Sequence, residues 1–218
     1  MFEFEKIVIE KNLYYNNHLI VKYTIEYPRI LSNLYCYNIN KFNNYNQIKA
    51  MELKLYAERE LFENAKEVYD YNTANNLPFF PYELVYSYTI TYNKNSIISL
   101  YFDEYVYAGG AHGSTTRTSQ TWNMNKGSQI PLCSVFNNDC TYIILILREI
   151  LHQIETQIED GTGAYFDNYA KLVIDNFRFD QFYLLDNDMA IYYQQYDIAP
   201  YSSGIPVFYV HTKITDKS

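Results

Sequence analysis

Bulky side chains at Leu84, Tyr86, Tyr88 and Ile90, with small polar Ser87, Thr89 and Thr91 between them, set a two-residue period from Tyr82 to Tyr92. That period places alternate side chains on opposite faces, so the segment is a strand with one apolar side. Asn93-Lys94-Asn95 supplies turn residues and Ile97 to Tyr107 returns, which predicts a long antiparallel hairpin. An apolar hairpin face must be covered, and the rest of the chain is read for what covers it.

Phe2, Phe4 and Ile7-Val8-Ile9, then Ile20 to Tyr27 with polar Lys22, Thr24 and Glu26 alternating, predict two strands joined through Asn16-Asn17, with Pro28 limiting the second. A helix follows, in which Ile48, Met51, Leu55, Phe62, Ala65 and Tyr69 form the stripe expected to pack on a sheet. Asn75-Asn76 and Pro78 stop it. Ser114 to Trp122, rich in Ser and Thr, reads as a half-exposed strand ending at Asn125-Lys126-Gly127. Asn138-Asp139 is placed to cap a second helix with Leu147, Ile150, Leu151, Ile154 and Ile158 on its buried face and Gly161 at its end. A short helix over 167–174, a hairpin over 177–196 turning at Asp186-Asn187-Asp188, and a last strand over 205–211 complete the pattern. The fold class is α+β: antiparallel sheets each packed by a helix, in two halves, residues 1–108 and 109–218, forming one compact body.

Across 218 residues, 48% are hydrophobic, enough for a sizeable core. The formal net charge of -8 disfavours nucleic acid or an anionic membrane as the main partner, and a basic protein is the partner such a surface would attract. Tyrosine is abundant, with 26 residues, for which an AT-rich genome and a recognition surface are both sufficient explanations. Met1-Phe2-Glu3-Phe4-Glu5 lacks the basic head and apolar stretch of a signal peptide. The apolar run from Tyr142 to Leu147 ends at Arg148, far short of the ~20 residues a membrane span needs. Cys36, Cys133 and Cys140 are too few for a disulfide scaffold and lack zinc-site spacing.

No HExxH, G-x-S-x-G, Walker A or CxxC signature occurs, so the chain is read as a non-enzyme with no cofactor and no metal. The local feature that stands out is Tyr107-Ala108-Gly109-Gly110-Ala111-His112-Gly113, with three of the seven glycines in one short stretch. Such clustering specifies an unusual backbone path. It serves either as a binding loop, in which amides accept an anion and His112 reaches a ligand, or as a structural crossover with His112 bonded to a nearby carbonyl. Gln195 to Gly204, containing Tyr196, Pro200 and Tyr201, reads as a second ordered loop. Asp186 and Asp188 are explained by the hairpin turn rather than by calcium.

Taken in order, the glycine stretch, Asn123-Met124, Gly127, Ile130-Pro131-Leu132, Phe177 and Tyr196-Asp197-Ile198-Ala199-Pro200-Tyr201-Ser202-Ser203-Gly204 resemble the paired domains of unknown function in RsiV-type anti-sigma factors and in PdaC-type peptidoglycan deacetylases. The resemblance is most specific from about Tyr82 to Val210; it makes 1–108 a PdaC-like half and 109–218 an RsiV-like half. It implies an extracytoplasmic, non-catalytic bacterial module. In the RsiV branch that module binds lysozyme, and in the PdaC branch the chemistry belongs to a separate deacetylase domain. The expected binding residues are Tyr107, Gly109, Gly110, His112, Gly113, Tyr196, Pro200 and Tyr201. The expected partner is a basic protein such as lysozyme, or peptidoglycan. The alternatives are a peptidoglycan or carbohydrate binding module, and a cell-wall hydrolase or deacetylase-related enzyme in which His112 works with Asp197.

Overall fold

The computed structural model describes residues 1–32, 36–136 and 141–211. The elements in chain order are β1 (Phe4–Tyr15), β2 (His18–Ile30), α1 (Tyr37–Tyr56), a π-helical turn (Ala57–Leu61), α2 (Phe62–Ala74), β3 (Tyr82–Lys94), β4 (Ile97–Tyr107), β5 (Ser114–Asn123) and β6 (Ser128–Gln129). Then follow α3 (Leu132–Val135), α4 (Tyr142–Glu159), α5 (Tyr169–Asp175), β7 (Phe182–Leu184), β8 (Asp188–Tyr192), a 3-10 turn (Tyr201–Ser203) and β9 (Val207–His211). The class is α+β, as the sequence predicts. Among the described residues no helix is long and apolar enough to cross a membrane.

By its contacts the chain divides into two units that interleave in sequence. The first contains Phe2–Tyr88 and Phe102–Thr115, the second Thr89–Tyr101 and the residues from Thr116 onward, so β3 and β4 contribute to both.

In the first unit the strand order is β1-β2-β3-β4. β1 and β2 form a hairpin turning on Asn16 and Asn17, both left-handed at φ 48 and 63, a conformation asparagine tolerates best among residues with a Cβ. Pro28 does not limit β2, being paired opposite Lys6. β2 and β3 pair in parallel, a departure from the antiparallel expectation. A parallel pair requires a long crossover, and the helical run from Tyr37 to Ala74 is that crossover. It begins earlier than the sequence pattern suggested and stops at Asn75, with Asn76 at φ 55.

Of the predicted stripe the helix fully buries only Ala65, and Met51, Phe62 and Tyr69 are half-buried. Ile48 and Leu55 are 59% and 49% exposed, whereas Phe42, Asn46, Ala50, Leu53, Ala57, Leu61 and Ala65 are buried. Steps of four residues overshoot an α-helical turn by ~40° each, so a run of them drifts around the helix. The π turn absorbs the drift by placing one extra residue in a turn, returning Leu61 and Ala65 to the packed face. Three of the buried positions are alanine, which lets the helix approach the sheet closely and leaves bulkier apolar residues outside.

In the second unit the order is β3-β4-β5-β6, and β7-β8-β9 form a separate antiparallel sheet. The β3–β4 turn falls on Asn95 and Ser96, at φ 52 and 57, two residues later than the start of the predicted turn, so Asn93 and Lys94 extend the strand. Ile146, Ile150 and Ile154 of α4 pack with Phe182, Leu184, Met189, Ile191, Phe208 and Val210 from one face of the small sheet. Tyr183, Ala190 and Tyr192 on its other face pack with Tyr101. Leu147 and Leu151 border that core, but Ile158 is 44% exposed and lies off the predicted face. α4 ends at Gly161, φ 66, where Thr162 N–H bonds to Gln157 O at 2.9 Å and Gly161 N–H to Ile158 O at 3.1 Å, the bonding pattern of a glycine helix stop. The proposed cap Asn138-Asp139 and Cys140 lie outside the described residues. Cys36 and Cys133 are unbridged thiols.

Buried Ser99 links the two sheets of this unit. Its Oγ accepts the N–H of Leu184 at 2.9 Å and lies 2.8 Å from Thr121 Oγ1, so a strand edge that would otherwise be buried unsatisfied is bonded.

Candidate functional site

The expected residues divide between the units, with Tyr107, Gly109, Gly110, His112 and Gly113 in the first and Tyr196, Pro200 and Tyr201 in the second. The glycine stretch is a fixed turn. Gly109 and Gly110 have φ of 90 and 86, values costly for any residue with a Cβ. Gly113 is needed for space, because a Cβ there would lie 2.5 Å from the Tyr105 ring. Tyr107 Oη donates to Gly110 O at 3.1 Å, closing the turn on itself. His112 Nδ1 lies 3.0 Å from Gly113 O, the backbone engagement expected of the structural-crossover reading. Behind the turn, rings run in contact from Tyr107 through Tyr82, Phe79 and Tyr69 to Tyr15. Burial pushes the Tyr82 hydroxyl above its ordinary range, as does Tyr107 beside it.

In the second unit Tyr196 has φ 67, is 54% exposed, and stands 5.8 Å from the Tyr201 ring. Asp197 fixes this loop by accepting the N–H of Gln194 on Oδ2 at 2.9 Å. Burial raises its carboxyl above the usual range, against the lowering effect of that bond and of Arg178. Pro200 leads into the 3-10 turn, and Gly204 leaves it at φ 66. A polar hollow of about 490 Å³ adjoins this turn, between Gly161–Tyr165 and Ser202, Ser203, Ile205, Pro206 and Val207.

A larger cleft of about 650 Å³ in the same unit was missed from the sequence. Ser119, Thr121 and Phe182 form its floor, Ile130 and Pro131 one wall, and Arg178, Phe179, Asp180 and Gln129 its rim. The sequence pattern placed 177–185 in a strand, but the strand covers only Phe182–Leu184. Residues 177–181 instead turn outward: Phe179 is 56% exposed and meets Phe177 edge to face at 5.5 Å. An Arg-Phe-Asp run just before a short strand was the available signal. The floor hydroxyls are committed to structure. Ser119 Oγ has one hydrogen to donate, to Phe182 O at 2.6 Å or Asp180 O at 3.0 Å, and accepts from Tyr192 Oη at 3.1 Å, and Thr121 Oγ1 bonds to Ser99.

Asp186 pairs with Lys94 and Asp188 with His211, each at 2.8 Å, which accounts for both acids at the hairpin turn. Among the described residues no group of three or more His, Cys, Asp or Glu is placed to hold a metal ion.

Two family models match: Deacetylase PdaC over residues 15–115 and Protein of unknown function (DUF3298) over residues 134–213. The peptidoglycan-N-acetylmuramic acid deacetylase PdaC of Bacillus subtilis (strain 168) is 25% identical over 153 residues, which is 64% of this chain and 31% of that enzyme. The chain thus spans about a third of the relative's length. A crystal structure of a DUF3298 family member from Bacteroides fragilis NCTC 9343 superimposes with a TM-score of 0.72 at 14% identity, covering 96% of this chain and 90% of that one. Another from Pseudomonas aeruginosa PAO1 gives 0.57 at 13% identity, covering 97% and 91%. At such identities the likeness is one of fold.

Proposed function

Because this chain pairs a PdaC-like region with a DUF3298 region, we propose that it is a non-catalytic binding or sensing module acting outside the cytoplasm at the cell wall. The observation that carries this reading is the chemistry of the 650 Å³ cleft. The Ile130 and Pro131 wall and exposed Phe179 offer an apolar surface for a ligand, and Arg178, Asp180 and Gln129 offer polar contacts at the rim. No histidine or cysteine lines it, and both floor hydroxyls are held in structural hydrogen bonds rather than beside a base. The deacetylase named among the relatives is about three times the length this chain matches, so its activity has room to reside in other residues.

The ligand in this reading is wall peptidoglycan or a basic protein such as lysozyme, which the net charge of -8 would attract. Co-sedimentation with insoluble peptidoglycan and calorimetric titration with lysozyme, each at low and moderate salt, separate the two. Phe179→Ala should weaken whichever interaction is found. Absence of binding in both assays rejects the reading, and turnover of acetylated wall fragments by the isolated chain rejects its non-catalytic part.

A further inference from the structure

β1 is the end strand of its sheet: among the described residues its one hydrogen-bonded neighbour is β2. At 12 residues it is long for an edge, and its outer side is a row of backbone donors and acceptors of the kind that takes up another strand. Val8, near its middle, is 46% exposed. Natural edges are commonly guarded by charge, and charges do flank Val8, in the order Glu5-Lys6-Ile7-Val8-Ile9-Glu10-Lys11.

That order is self-complementary when reversed. Antiparallel pairing of two copies about Val8 sets Val8 against Val8, Ile7 against Ile9, Lys6 against Glu10 and Glu5 against Lys11, so every charge meets its opposite. A slip of one residue one way puts Glu5 opposite Glu10, and a slip the other way puts Lys6 opposite Lys11. Directly opposed like charges disfavour a strand pair, so the pattern selects one register and disfavours its neighbours.

We propose that β1 pairs with β1 of a second copy of this chain, antiparallel about a two-fold axis at Val8. The symmetry makes each contact occur twice, as a closed two-fold interface requires. Lys6, Glu5 and Lys11 already pair with Glu26, Arg29 and Glu58, but all three stand at the surface and keep bonding capacity for a second partner. Glu10 has no ion pair among the described residues and awaits one.

Sedimentation of the whole chain over a range of concentrations should show a monomer–dimer equilibrium. Glu10→Lys sets Lys6 against a lysine at both ends of the contact and should weaken association roughly tenfold or more at low salt, with circular dichroism unchanged. The double variant Lys6→Glu/Glu10→Lys restores opposite charges and should recover the dimer. A chain that stays monomeric throughout, a dimer indifferent to Glu10→Lys, or a double variant no better than the single one would overturn the proposal. None of these outcomes bears on ligand binding.

Discussion

Gln194 grips the backbone of Arg117 with both ends of its side-chain amide: Oε1 accepts the Arg117 N–H at 2.9 Å and Nε2 donates to the Arg117 carbonyl at 2.7 Å. The amide thus acts as one residue of an added strand on β5. Arg117 itself lays its guanidinium over Tyr101, 3.9 Å from the ring centre, so the clip also fixes a cation–π contact. Gln153 clips Tyr209 on β9 in the same way, and Asn43 clips Ile30 at the end of β2.

Replacing Gln194 by Leu keeps the bulk and leaves two backbone groups without partners. Stability should fall by roughly 1–3 kcal/mol, read from urea denaturation. Glutamate should recover only part of it, since it supplies the acceptor but not the donor.

The glycines of the first unit's turn should fail for different reasons. Gly113→Ala meets the Tyr105 ring, whereas Gly110→Ala meets nothing within 4 Å and suffers only from its φ of 86. Each should cost about 1–2 kcal/mol. In a Tyr105→Ala background the Gly113 penalty should shrink and the Gly110 penalty should not, a double-mutant cycle that thermal denaturation can measure.

Asp197 and Glu58 should give pH dependences of opposite sign. Burial raises the Asp197 carboxyl, so the folded state holds its proton more tightly and stability is lost as pH rises through the raised value. Asp197→Asn can still accept the Gln194 N–H and should be more stable than the parent at neutral pH, with the gap closing in acid. Glu58 is lowered by Lys11 foremost and also by Tyr23. Its contribution is present above the ordinary glutamate range and lost as pH falls through the lowered value, so Glu58→Gln should destabilise at neutral pH and less in acid. Denaturation midpoints across pH for both variants decide the signs.

The π turn should tolerate a deletion that a regular helix would not. Removing Glu60 leaves an ordinary helical turn with Leu61 and Ala65 still on the buried face, and should change stability by no more than about 1 kcal/mol. An alanine inserted after Leu53 rotates Ala57, Leu61 and Ala65 by ~100° and should prevent cooperative unfolding. Calorimetry of both distinguishes them.

Local chemistry was enough to read much of this from the sequence. Asn16-Asn17 had to turn because few residues accept left-handed backbone, Gly161 had to end α4 for the same reason, and the alternation after Tyr82 had to be a strand. The order of the glycine stretch and the Tyr196–Gly204 loop pointed to the matched families. These features depend on residues within a turn or two of each other, where sequence spacing and spatial spacing coincide.

What the tertiary structure decided lies between distant residues. Period alone put Ile48 and Leu55 on the buried stripe of the crossover helix, and only contact with the sheet, through alanines and a π turn, determined that they face outward. The 650 Å³ cleft joins 119–131 to 178–182, and the clips by Gln194 and Gln153 span 77 and 56 residues. A polar side chain bonds whichever backbone group the fold leaves open beside it, and no local pattern records which group that is.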